Sequence, residues 1–178
     1  MEVNPNSFLF FLGDVDLLKG DPIRAKKVYE ESVNFLRTVG NIPFLAYPLR
    51  RLGYLALGQN DIPNASRYIH QSLTLNYEAG DLPGMTASLT SMAQLALRLN
   101  KPLVAARLYG AVENRLESLS LNLLFTDQTE LASIAKKLPT YLDQATLTHA
   151  FNEGWEMSLE QAIQLAEGIF ERETSTSE

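Results

Sequence analysis

Three carboxylates, Asp14, Asp16 and Asp21, fall within one short stretch near the start of the chain. Paired carboxylates can divide acid and base work when one keeps its proton and the other does not. Asp21, however, sits between Gly20 and Pro22, where a turn is expected, so the cluster reads as a turn with two neighbouring acids. The two histidines, His70 and His149, are far apart and on different predicted helices, and both read as polar surface. An enzymatic reading would have to rest on a site built by the tail helices around His149 and Glu153. Trp155 is expected to plug helix packing, and Lys136 with Lys137 to lie on a solvated helix face. No nucleophile stands in an evident relation to a base, so a non-enzyme without metal or cofactor is expected.

Composition narrows the classes further. The chain has 178 residues, 46% hydrophobic and 20% charged, which suits one domain or a short repeat array. It has no cysteine, which excludes disulfides, thiol catalysis and thiolate metal sites. A net charge of −6 argues against nucleic acid as a partner, because phosphate contacts need clustered Lys and Arg. No apolar run approaches the length of a membrane span, about 20 residues. "SFLFFLG" lacks the basic lead-in and cleavage site of a signal peptide. The expected location is the cytoplasm.

The elements that would position these residues announce themselves by repetition. "LGDVDLLKGD" from Leu12 returns as "LGYLALGQND" from Leu52 and as "MAQLALRLNK" from Met92, an interval of 40 residues. At that offset Leu9, Leu49 and Leu89 coincide, then the small residues Gly13, Gly53 and Ala93, then Ala25, Ala65 and Ala105. Each unit reads as two helices. Leu49, Leu52, Gly53 and Ala56 form one helical face, as do Ala65, Tyr68, Ile69 and Ser72. Gly20, Asn60 and Asn100 suit the left-handed residue that closes a helix, and Pro22, Pro63 and Pro102 suit the start of the next. The small residues are expected to let two antiparallel helices approach closely. Asp16 stands where Ala56 and Ala96 stand, so the first repeat is more open there or Asp16 has a partner.

These segments resemble the tetratricopeptide repeat, specifically the longer repeats of bacterial regulators of the MalT type. The resemblance implies an all-α, right-handed superhelix of antiparallel helix pairs with a C-terminal helical cap. Three repeats are expected over residues 1–118, near 6–41, 42–81 and 82–118. A helical closing segment would follow over 119–171, and a disordered tail over 172–178. In the closing segment, Asp127 and Glu130 have the spacing of a capping box, as do Ser158 and Gln161. A helix near 141–153 should end at Gly154.

"AARLYGAVENRLESL" and "AFNEGWEMSLEQAIQLA" are similar to the closing part of multidomain regulators in which an effector domain, often LuxR- or OmpR-type, precedes an ATPase core. Ala105, Gly110, Glu113, Phe151, Gly154 and Ser158 are among the residues that carry this likeness. No Gly-rich phosphate-binding loop occurs in this sequence, so the chain would be the sensor or scaffold part, or a free-standing relative.

In such arrays the first helix of each pair lines the concave side. The groove residues implied are Phe10, Asp14, Tyr47, Arg50, Tyr54, Thr90 and Gln94, facing a protein or peptide partner. Aromatic side chains and Arg dominate binding hot spots; inter-repeat packing is the competing role for Tyr47 and Tyr54. Arg51, about 100° around the helix, should point elsewhere. An apolar, aromatic-lined pocket would instead favour a small-molecule or peptide effector. The first helix is apolar almost all round, and Phe8, Phe11, Val15 and Leu18 should meet either an upstream repeat or a second chain.

Overall fold

The structure is a computed structural model that describes residues 9–174, with side chains to residue 170. Among the described residues every regular element is a helix. They are α1 (Phe10–Leu18), α2 (Pro22–Thr38), α3 (Ala46–Gly58), α4 (Ile62–Ala79), α5 (Leu82–Arg98), α6 (Pro102–Ser118), α7 (Phe125–Lys137), α8 (Gln144–Trp155) and α9 (Leu159–Thr174), with 3-10 turns at Ile42–Leu45 and Leu138–Thr140. Phe8 and residues 175–178 lie outside the described residues, whereas 172–174 belong to α9.

The left-handed backbone falls at Gly20, Gly40, Asn60, Gly80, Asn100 and Ser120, one every twenty residues. At each, the following residue donates its N–H back to a carbonyl five positions earlier, as in Asp21 to Asp16 (2.9 Å), Asp61 to Ala56 (2.9 Å) and Lys101 to Ala96 (2.8 Å). This bond satisfies a carbonyl that the ending helix leaves without a donor. The next helix is then often started by an aspartate: Asp21, Asp61 and Asp81 each accept the backbone N–H three residues on, as Asp143 does ahead of α8 without a left-handed residue before it. Lys101 replaces that aspartate before α6, which has no side-chain cap.

The chain divides into two compact units, Met1–Gly84 and Met85–Glu178. In the first, α1 and α2 form one helical hairpin and α3 and α4 another. A Cβ placed at Gly13 would stand 2.5 Å from the Tyr29 ring, and one at Gly53 would stand 2.6 Å from Ile69. The glycines therefore make room for the large side chain four residues after Ala25 and Ala65, not only for the alanines themselves. Phe10, Tyr29, Val33, Leu36, Leu49, Leu52 and Leu55 share one core. Asp16 has its partner: it is buried and pairs with Arg24 at 3.3 Å.

In the second unit α5 is buried from Met85 to Leu97, and α6 packs with α7, α8 and α9. Two expectations fail here. Gly154 does not end a helix; it lies inside α8, where its Cα abuts the Arg107 carbonyl. Asp127 and Glu130 form no capping box, because both are buried and α7 starts from Leu124 without a side-chain cap. Ser158 and Gln161 do form one, each accepting the other's backbone N–H at 3.2 and 2.8 Å.

Candidate functional site

Phe10 and Phe11 open α1, Phe44 lies in the 3-10 turn, and Tyr47 and Arg50 lie on the first turns of α3. The helical spacing i, i+3 puts Tyr47 and Arg50 on one face. The Phe10 and Phe11 ring centroids are 4.7 Å apart and lie 4.9 and 5.4 Å from Tyr47, in tilted arrangements that aromatic pairs favour. The Arg50 guanidinium stands 5.3 Å from the centre of the Tyr47 ring and is 3% exposed.

Together these five side chains form much of the wall of a cavity of about 350 Å³, completed by Pro43, Ala46, Asn76, Asp81 and Gly84. Its polar groups are few: one buried guanidinium, the buried Asn76 amide and the Asp81 carboxylate, which already accepts the Gly84 N–H at 3.1 Å. An apolar wall with a few fixed polar groups suits a ligand part that is flat or branched and mainly hydrocarbon.

Of the expected groove residues, Phe10, Tyr47 and Arg50 meet at this cavity. Asp14 lies beside it as a hydrogen-bond node. It accepts the hydroxyls of Tyr29 (2.6 Å) and Tyr47, and pairs with Arg51 at 3.4 Å. Burial first, and the bond to Asp14 second, push the Tyr29 hydroxyl well above the usual tyrosine range. Arg51 points away from the cavity wall that Arg50 lines; it is fully buried and lies over the Tyr54 ring at 4.9 Å. Its long side chain spans back to Asp14 and so links Tyr54 to that carboxylate.

Thr90 and Gln94 do not face an open groove. Thr90 is buried and donates to the Thr86 carbonyl of its own helix (3.2 Å). Gln94 donates to the Glu130 backbone carbonyl (3.3 Å), and Ser91 to the Glu130 carboxylate (3.3 Å). For Gln94 the physical reason is Glu130, through which α7 meets α5 in the second unit. Phe11, Val15 and Leu18 on α1 are 41, 43 and 62% exposed.

Sequence reasoning missed Phe44, Asn76 and Asp81 as lining. Phe44 had a readable signal, a phenylalanine between Pro43 and the start of a helix; Asn76 and Asp81 had none. A second cavity in the first unit, about 420 Å³, was also unforeseen; Leu45, Leu49 and Leu75 line it with His70 and Gln71. His149 is exposed and stands 3.5 Å from Glu153, which Arg107 holds more closely at 2.8 Å. Among the described residues no three His, Asp or Glu side chains gather as a metal site needs. No family model matches the chain, and none of the curated proteins or solved structures compared with it matches either.

Proposed function

We propose that the chain is a non-catalytic recognition domain whose aromatic cavity receives an apolar or aromatic side chain of a protein or peptide partner. The observation that carries this is the meeting of Phe10, Phe11, Phe44 and Tyr47 around about 350 Å³, with Arg50 buried in the wall. Preformed aromatic pockets hold an anchor side chain at low entropic cost, because their own rings are already fixed by packing. Here Tyr47 is fixed by its bond to Asp14 and by its ring neighbours.

The reading includes the tetratricopeptide-type stacking of helix pairs as a superhelix, and a place in the repeat region of a bacterial transcriptional or signalling regulator. The twenty-residue rhythm of left-handed turns supports it, as do the matched contacts Gly13 to Tyr29 and Gly53 to Ile69. So do Gly110 and Gly154, which carry the sequence resemblance and stand at one close helix crossing.

A second reading, a small-molecule effector site, draws on the same cavity, whose volume lies at the lower end of ligand pockets, about 300–1,000 Å³. A display selection of random peptides on the full chain separates the two. Peptides sharing one aromatic or large aliphatic anchor, lost on Phe44→Ala, are the expected result. Peptides indifferent to Phe44→Ala, or none at all, count against a peptide partner; a single metabolite that raises Tm would then favour the effector reading.

A further inference from the structure

The aromatic cavity carries charge of both signs. Arg50 stands in its wall, 3% exposed, and Asp81 lines it as an exposed residue. A cationic anchor would be brought beside a buried guanidinium, and an anionic one beside a carboxylate. Like charges placed together in one site cost affinity. The rings of Phe10, Phe11, Phe44 and Tyr47 suit a flat group that packs against them. A neutral aromatic side chain meets both conditions.

The Asp81 carboxylate narrows the choice. Its Oδ1 accepts the Gly84 N–H at 3.1 Å, and no described residue donates to Oδ2 or pairs with it. A Cβ on Gly84 would collide with Oδ2, so the glycine leaves that oxygen uncovered on the cavity wall. An ionised acceptor beside aromatic walls suits an anchor that carries one N–H or O–H. Depth then separates tryptophan from tyrosine. Phe10, Ala46 and Arg50 are buried while Phe11 and Asp81 are exposed, so Asp81 stands at the open end. The tyrosine hydroxyl is the tip of its side chain and would enter deepest, away from Asp81. In tryptophan the benzene ring is the tip, and the N–H lies on the five-membered ring nearer the backbone.

From this we infer that the anchor is a tryptophan of the partner, whose indole N–H is donated to Asp81 Oδ2; the inference rests on the recognition reading. Tryptophan is also the side chain whose apolar body and single polar edge suit a pocket dry at the floor and wet at the mouth. Asp81 is thereby a specificity-determining residue: it selects among aromatic anchors that the rings alone would accept equally.

NMR titration of the full chain with the N-acetyl amides of tryptophan, tyrosine and phenylalanine tests this, in the native protein and in Asp81→Asn. Asparagine caps a helix as well as aspartate does, so Asp81→Asn keeps the bond to the Gly84 N–H and puts an NH₂ where Oδ2 stood. The expected result is that tryptophan binds at least about threefold more tightly than either rival, with shifts at Phe10, Phe44 and Tyr47. Asp81→Asn should weaken tryptophan by at least about threefold, leave phenylalanine unchanged, and leave Tm unchanged. Tyrosine or phenylalanine binding as tightly as tryptophan overturns the inference, as does tryptophan binding indifferent to Asp81→Asn. Either result leaves the recognition reading standing, because the cavity still takes a ring. Saturable binding of none of the three overturns both.

Discussion

Gly154 on α8 lies so close to Arg107 on α6 that a methyl group on its Cα would overlap the Arg107 carbonyl. The relation is reciprocal, since a methyl on Gly110 would overlap the Phe151 carbonyl. Around this crossing Tyr109 packs on Phe151 at 5.4 Å, Arg107 pairs with Glu153, and Arg115 donates to the Met157 carbonyl at 2.7 Å. Backbone cannot retreat as a side-chain end can, so Gly154→Ala should cost about 2–3 kcal/mol. In a chain of this size that lowers Tm by roughly 4–12 °C. Gly168→Ala on α9, where nothing stands within 4 Å, should instead stabilise by about 0.5–1 kcal/mol. Thermal melts of the two variants check both signs.

Asp14 holds three side chains at once. Asp14→Ala takes the carboxylate from Arg51, whose side chain is 2% exposed, and from the Tyr29 hydroxyl. Loss of one partner of a buried charge costs about 3–5 kcal/mol, and the lower end applies because Asp14 keeps some solvent contact. Tyr29→Phe should cost only about 1 kcal/mol, the net worth of one hydrogen bond. Urea unfolding of both variants would show the difference; equal losses would mean that Asp14 matters only through Tyr29.

The turns were the most legible part of the fold, because a left-handed residue leaves few choices and Gly20, Asn60 and Asn100 take that conformation. The face joining Tyr47 to Arg50 was also legible, through helical spacing alone. Other features were hidden for physical reasons. A glycine near a helix end serves equally as a stop and as a close-approach site, and Gly154 is the second. Acids at capping-box spacing serve as caps or as buried acceptors, and Glu130, in the second turn of α7, is an acceptor for Ser91. The bond from Gln94 to Glu130 had no signal, because α7 departs from the 40-residue register. Arg51 lies off the cavity wall, as its angle on the helix implied, but its long side chain still reaches Asp14 and the Tyr54 ring.

Stability should fall at both pH extremes, through different groups. Burial, then a bond to Glu113, pushes Tyr109 up to about 12, and Tyr29 is raised further by burial and Asp14. A raised group contributes stability that is full below its unfolded value, about 10 for tyrosine, and is lost as pH climbs through the folded one. Tyrosinate absorbance should therefore show Tyr29 and Tyr109 keeping their protons at pH values where an ordinary tyrosine has lost its own. On the acid side, bonds from Asn64 to Asp61, from Thr146 to Asp143 and from Arg107 to Glu153 hold those carboxyls below their ordinary range. Their contribution is present above about pH 4 and is lost as pH falls through the lowered values. Tm measured from pH 2 to 12 should be flat between about 5 and 9.

Glu130 ties α7 to α5. It is 1% exposed, and Glu130→Ala should cost about 1–3 kcal/mol by removing the acceptor that Ser91 uses. Ser91→Ala in the same background should add little, giving a coupling of about 0.5–1.5 kcal/mol in a double-mutant cycle. Amide exchange should speed up in α7 before it does in α6. Additive losses would mean that the two side chains act separately.

The most direct measurement is a titration of the full chain with indole, the side chain of tryptophan, followed by aromatic and methyl NMR shifts. The recognition reading predicts saturable, millimolar-range binding. Its shifts should centre on Phe10, Phe44 and Tyr47, spare Leu75 and His70 in the neighbouring cavity, and disappear in Phe44→Ala. Shifts centred on Leu75 and His70, or no saturable shifts at all, would contradict it.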